Sequence, residues 1–450
     1  TPGFTHAREV GEAVSVGLVL EPAGSTLSDV PPRHIVWGDC VGMSRGAVAG
    51  RPALFRTADG LRAIRRHVAP LLEGRKLTSF RQLATEIDIL TETALVPAPE
   101  PDKPHPSEEA SAGGLSRRDL LTAPLRFLRE DAATDESDSP ERHPEVRTIT
   151  VERPLHPAVR YGVSQALLKG VAVTKGQTMA EVIADEWHLP HPTQPVLIHA
   201  QAPVTRSDRI DRMVVRGVDS LGLTVTETTP DLLGADGQGL VRSVQQLKAR
   251  IEDLGRPKYR PVIHLDVRGA LGRLTDQNLG RILGYLLRLE SHARPYPLRL
   301  ESPLVMDSRA DQIETLKTLR EYAQFRDMDV EIVADEWVNT LDDVEAFLAA
   351  RAADMIHLKT PALGGLHQAV AATLLCQEAG IRVLLGGSPI ETDSSAQATA
   401  HVALSTQPAV VMAKPGDSVA YAVASTRNEM ARALASIRHA PPPTTATSGP

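Results

Sequence analysis

Between residues 195 and 416 short apolar segments and helical segments take turns, and this alternation limits the fold more than any other feature. The segments that read as strands are "PVLIHAQ" (195–201), "GLTVTE", "PVIHLDV" (261–267), "LRLESP" (298–303), "VEIVADE" (330–336), "MIHLKTP", "RVLLGGS" (382–388) and "AVVMAKPG" (409–416). Between them lie helical patterns such as "LVRSVQQLKARIEDLG", "RADQIETLKTLREYAQF" and "LHQAVAATLLCQEAG". Strands alternating with helices call for a parallel sheet, because each crossover must return the chain to the same end. Seven or eight such units in a span close to the ~250 residues of a typical barrel fit a closed (β/α) barrel better than an open sheet. The fold class expected is therefore α/β.

The rest of the chain has a different texture. "AVSVGLVLE" (13–21) and "RHIVWGDCVG" (33–42) read as β-rich runs, and "GLRAIRRHVAPLLEG" (60–74) as a helix closed by glycine. Residues 1–95 thus form an α+β segment. Residues 96–146, including "VPAPEPDKPHPSEEASAGG" and "EDAATDESDSPERHPE", are rich in Pro, Glu, Asp and Ser. Such a stretch buries too little apolar area to offset its ordering entropy. It reads as a flexible insertion without a function of its own, with one short helix at "LSRRDLLTAPLRFLRE". Residues 147–194 read as helical, with "PAVRYGVSQALLKGVAVTKG" expected to be strongly amphipathic. The barrel is expected over 195–430 and a tail over 431–450.

Composition narrows the function. Of the 450 residues 42% are hydrophobic but only 3% aromatic, so aliphatic packing dominates the core. A net charge of −7 supplies no basic field for nucleic acid. No apolar run approaches the ~18 residues of a membrane span. Cys40 and Cys376 are far apart and suggest no disulfide scaffold, so a reduced, cytoplasmic setting is expected. No charged-then-apolar leader opens the chain, and its first residues, "TPGFTH", read as a trimmed start.

Three carboxylates stand at expected strand ends: Asp266, Glu301 and Asp335, spaced 35 and 34 residues apart, about one βα unit each. Lys359 follows 24 residues later, where an apolar strand stops. Neighbouring barrel strands lie ~4.8 Å apart, so these ends converge on the C-terminal face, where barrel enzymes keep their chemistry. Converging carboxylates repel and are costly to bury. A divalent cation resolves the conflict, and an all-oxygen set suits Mg²⁺. The lysine is then placed to act as a base on a proton next to a carboxylate, while the metal offsets the charge that develops on the carboxylate oxygens.

The order acid, acid, acid, lysine on successive strand ends, behind an α+β segment, resembles the enolase superfamily. Within it the chain is similar to the methylaspartate ammonia-lyase family, through "GFTHAREVGEAVSVGLVLE", "WGDCVG", "AVRYGVSQALL", "TMAEVIADEW", "HLDVRG", "RLESP", "VADEWVNT", "HLKTPALGG", "GGSPIETD", "MAKPG" and "NEM". The resemblance implies a modified barrel with an N-terminal α+β capping domain, Mg²⁺ as cofactor, a homodimer, and loss of ammonia from an aspartate derivative. It makes Asp266, Glu301 and Asp335 the metal ligands and Lys359 the base. Gln201, His357, Ser388, Pro389, Ser44 and Met412 fall at substrate-contacting positions.

Several positions depart from the family pattern. Leu223 stands where the family carries a histidine opposite the lysine. His357 and Ser44 replace glutamines, Ala362 replaces an acid, and the family's first strand, before "GFT", has no counterpart. The metal set and the base match, while the groups that grip the substrate differ. This points to a lyase-type site with an altered substrate, a small amino acid related to 3-methylaspartate. Proton abstraction would be confined to the lysine face. His199, two residues before Gln201, reads best as a hydrogen-bonded interior histidine, and His264 as a supporting group near Asp266; Glu336 is expected to alternate away from the site. Two other readings stay open: another reaction of the superfamily, such as dehydration of a hydroxy acid, and a catalytically silent relative that binds a partner through its acidic insertion.

Overall fold

The structure, a computed structural model, describes residues 2–10, 13–20, 34–42, 55–97, 148–225, 237–416 and 418–439. Ser44 and almost all of the 96–146 segment, including its expected short helix, lie outside the described residues. Two compact units are present. One comprises Thr1–Leu90 with Pro154–Pro450, the other Thr91–Arg153.

In the larger unit β1 (Pro2–Val10), β2 (Ala13–Leu20) and β3 (His34–Cys40) form an antiparallel sheet in the order β1-β2-β3. The helix Pro157–Lys175 packs on β3 at backbone contact. A Cβ on Gly38 would lie 1.9 Å from the Gly162 carbonyl oxygen, and one on Gly162 would lie 2.5 Å from Cys40 Sγ. Two facing glycines make that approach possible. The helix was expected to be amphipathic, yet Ala158, Val159, Tyr161 and nearly every residue from Gly162 to Ala172 are buried. It is enclosed on several sides, and a helix so placed is apolar around its circumference. The expected 60–74 helix runs from Thr57 to Leu72, with a π-helical turn at Ile64–Val68, and is followed by Gly74 at φ +73°. The smaller unit contains β4 (Thr91–Pro97) and β5 (Thr148–Pro154), which form a two-stranded sheet with Arg153 on Glu92 at 2.9 Å.

The barrel is closed by β6 (Ile198–Pro203), β7 (Ser220–Thr224), β8 (Val262–Asp266), β9 (Leu298–Glu301), β10 (Val330–Ala334), β11 (Met355–Leu358), β12 (Arg382–Leu385) and β13 (Val410–Met412). The strands follow one another in chain order around the ring, and β13 pairs with β6 in parallel. All eight expected strands are therefore present, and their outward residues join the helices in one continuous aliphatic core.

Candidate active site

Asp266 and Glu301 are the last residues of β8 and β9, and Asp335 follows the last residue of β10. Lys359 follows Leu358, the end of β11, and caps the short helix Thr360–Leu363. Parallel register therefore delivers all four side chains to one rim. Lys359 Nζ forms an ion pair with Asp335, and both side chains are about nine-tenths buried.

Glu301 is the best-held of the acids. Its Oε2 is 2.6 Å from His264 Nε2 and its Oε1 is 2.8 Å from His357 Nδ1. The other nitrogen of His357 is 2.7 Å from the Gly386 carbonyl oxygen. Burial opposes ionisation of Glu301, but the His357 charge and the histidine hydrogen bonds outweigh it, and the carboxyl stays well below its usual range. Carboxylate and carbonyl both accept, so the His357 ring carries a proton on each nitrogen. Both nitrogens are thus committed inside the barrel, which differs from the expected contact with substrate: His357 orients Glu301. His264 has the supporting place read from the sequence.

Asp266 is buried, and its Oδ1 has no hydrogen-bond partner, while Oδ2 receives Arg268 Nε at 3.3 Å. Burial, then the charge of Glu301, push its pKa up to about 7. Glu336 corrects the sequence reading. It is 3% exposed, accepts from Ser302 Oγ at 2.6 Å, and is pushed up to about 8 by burial and then by Asp335. β10 ends at Ala334 and Trp337 takes φ +64°, so strand alternation no longer governs position 336.

Glu301, Asp335 and His357 bring ligand atoms within 4.8 Å of one another. His357 is disqualified as a ligand by its two committed protons. Asp266, in register with Glu301 on the neighbouring strand, offers an unpartnered buried oxygen, and with Glu301 and Asp335 it could form an all-oxygen set of the kind that holds Mg²⁺, with histidines behind it.

The substrate-contact residues divide. Gln201 is partly exposed on β6 and Pro389 is exposed in the loop after β12. Ser388 is wholly buried, with its hydroxyl turned toward the Gly42 carbonyl at 3.4 Å and its N–H donating to Glu391 Oε2 at 3.1 Å. Met412 packs in an apolar cluster with Val333, Met355, Leu384 and Val410. Leu223 faces outward, paired in register with Ala202 and Leu265 and buried in the helix-facing core. The residues that β7 presents inward are those on either side of Leu223: Gly222, in register with His264, and Thr224, in register with Asp266 at the rim, its buried Oγ1 without a partner.

One group was missed. Tyr161, on the Pro157–Lys175 helix, donates to Glu391 Oε1 at 3.0 Å and lies 3.3 Å from the hydroxyls of Thr360 and Thr399. It ties that helix to the loops that carry Lys359 and Ser388.

Comparison with known proteins agrees with this geometry. The family profile described as methylaspartate ammonia-lyase C-terminus matches residues 190–439, and the profile for the N-terminus matches 1–98 and 124–188. The chain belongs to the methylaspartate ammonia-lyase family. Methylaspartate ammonia-lyase 2 of Carboxydothermus hydrogenoformans is 35% identical over 97% of this chain and 89% of the relative. β-Methylaspartase from Clostridium tetanomorphum, solved as its Mg complex, superposes with a TM-score of 0.73 at 30% identity, over 95% of this chain and 87% of that one. The Citrobacter amalonaticus methylaspartate ammonia lyase containing (2S,3S)-3-methylaspartic acid gives 0.74 at 31% identity, over 97% and 90%. The barrel is thus the modified (β/α) barrel of the enolase superfamily. Among the described residues no helix is long and apolar enough to cross a membrane.

Proposed function

We infer that this member of the methylaspartate ammonia-lyase family is a Mg²⁺-dependent carbon–nitrogen lyase that converts an amino acid related to 3-methylaspartate into an unsaturated acid and ammonia. The observation that carries the reading is the convergence of three strand-end carboxylates beside a lysine on the next strand. Asp266, Glu301 and Asp335 would hold the metal, and His264 and His357 fix Glu301. A bound Mg²⁺ supplies positive charge against which a carboxylate can accept electron density. Lys359 takes the proton from the carbon next to that carboxylate, and its contact with Asp335 keeps Nζ at the rim. Gln201 contacts a substrate carboxylate, Pro389 and Met412 bound the pocket after β12 and β13, Ser388 shapes the same loop through its backbone, and Ser44 belongs to the amine side.

We further propose a cytoplasmic homodimer. The family resemblance supports the dimer, and two cysteines that are buried and free support a reducing compartment. Sedimentation would report one dimeric species if this is right, and a monomer at micromolar concentration would refute it.

The test of the activity is ultraviolet detection of an unsaturated acid, with ammonia release, from 3-methylaspartate and related amino acids, with and without Mg²⁺. Mg²⁺-dependent formation of both products is expected. Product from hydroxy acids alone would exclude the lyase reading.

A further inference from the structure

β7 presents no side chain to the barrel at Gly222. A Cβ built there would lie 2.7 Å from His199 Nε2 and 2.7 Å from Gln201 Cβ. The imidazole of His199, rooted on the neighbouring strand, therefore occupies the room a β7 side chain would take. The ring is wholly buried, and its Nδ1 lies 2.9 Å from Ser220 Oγ. It meets the His264 ring at 4.7 Å between centroids, at 67°. Its Nε2 has no partner. Leaving such a nitrogen unpaired costs about 1–3 kcal/mol, so it requires an explanation. His264 Nδ1 is also unpartnered, but that ring is already committed through Nε2 to Glu301. His199 has no such duty, and its ring fills the space over Gly222 beside Gln201.

In the ring of strands β7 and β11 are four apart, so they face each other across the barrel. A substrate carbon that gives its proton to Lys359, at the end of β11, turns its other side toward β6 and β7. Elimination is easiest when the C–H and C–N bonds are anti, because the released electron pair enters the C–N antibonding orbital from behind. With the C–H bond aimed at Lys359, the nitrogen is aimed at the opposite wall.

We propose that His199 Nε2 accepts a hydrogen bond from the ammonium group of the amino-acid substrate across Gly222, a contact that rests on the lyase reading above. The atoms balance without proton transfer from the histidine. Lys359 takes the proton, the C–H pair becomes the new C=C bond, and the C–N pair leaves with nitrogen, so –NH₃⁺ departs as NH₃. His199 orients the nitrogen and does not protonate it. Burial, and then the neighbouring His264, hold its pKa well below the usual imidazole value. The neutral ring can then give Nδ1–H to Ser220 and keep a lone pair on Nε2.

The experiment compares two ligands on the Mg²⁺-loaded enzyme: 3-methylaspartate, which carries the nitrogen, and its unsaturated diacid product, which does not. His199→Phe fills the space without an acceptor, whereas His199→Gln restores one. His199→Phe is expected to raise KM for the amino acid about 10- to 100-fold, the effect of losing a hydrogen bond to a charged group. Inhibition by the diacid should stay within about twofold, and His199→Gln should recover most of the loss. Equal weakening of both ligands, or of neither, overturns the contact while leaving the lyase reading intact. A wild-type protein that releases no ammonia but dehydrates hydroxy acids overturns both. In Mg²⁺-loaded Lys359→Ala protein with an intact His199, the ¹⁵N resonance of Nε2 should move on adding the amino acid and not the diacid. Movement with both, or with neither, also overturns the contact.

Discussion

Inside one barrel two linings stand side by side. β10 to β13 contribute Val333, Met355, Leu384, Val410 and Met412, a separate apolar cluster, with His357 of β11 reaching from this side to Glu301. β6 to β9 contribute His199, Ser220, His264, Arg299 and Glu301, all buried. The apolar lining stabilises simply by leaving water, at roughly 25 cal/mol per Å² buried. The polar lining must be justified bond by bond, since a buried polar group costs free energy unless it is paired. Most of it is. Glu301 has two histidines, and Arg299 donates to Glu331 at 2.8 Å, which also receives Arg382 at 2.6 Å. The unpaired buried atoms of the described strands, on His199, Thr224, His264, Asp266 and one nitrogen of Arg299, lie on the polar side. The difference teaches where to look for function: the apolar lining holds the barrel, and the polar lining is left incomplete where a metal ion and a substrate would complete it.

Substitutions on the two sides should therefore fail differently. Lys359→Ala should reduce turnover by about 10²- to 10⁴-fold, the usual contribution of a positioned base, with Mg²⁺ affinity nearly unchanged; retained turnover would remove the lysine from its role. Leu384→Ala in the apolar lining should destabilise by about 2–5 kcal/mol in denaturant unfolding, with KM nearly unaltered in the folded fraction. If that variant lost Mg²⁺ binding at unchanged stability, the division between the linings would be wrong. His264→Ala should weaken Mg²⁺ about 10- to 100-fold, as loss of a partner behind a metal ligand does, and an unchanged affinity would make the histidine a packing residue.

A smaller effect follows from pH. Burial raises Asp266 to about 7 and Glu336 to about 8 in the metal-free fold, so the folded chain binds protons that the unfolded chain has released. The stability that these two acids contribute to the metal-free protein should therefore be present below the unfolded carboxylate range, about pH 4, and be lost as pH rises to about 7 to 8. Mg²⁺ affinity should move the other way and rise through about pH 7, because the ion displaces the Asp266 proton. Thermal unfolding with and without Mg²⁺ at pH 6 and 8.5 checks both signs, and parallel curves would show that neither acid changes its proton in this range.

Much of this was legible in the sequence because it depends on strand ends. Apolar runs of four to eight residues located the barrel strands, and Asp266, Glu301, Asp335 and Lys359 close four successive runs. What required coordinates depends on register, on chain reversal, or on distant partners. A one-residue slip exchanges the faces of a strand, and Leu223, singled out because it matches the family's histidine position, is turned outward by the observed register. Glu336 was misplaced because the strand ends at Ala334. The enclosed face of the Pro157–Lys175 helix, and the pairing of Tyr161 with Glu391 across 230 residues, arise only from tertiary packing.

The most direct test of the account is to measure Mg²⁺ affinity and turnover together in wild type and in Asp335→Asn, using calorimetric titration and the unsaturated-acid assay on the same preparations. The account predicts that both fall together, because the carboxylate is read as a ligand that places the metal beside Lys359. Turnover that falls while Mg²⁺ affinity stands unchanged would contradict it, and would mean that the three strand-end acids are not the metal site.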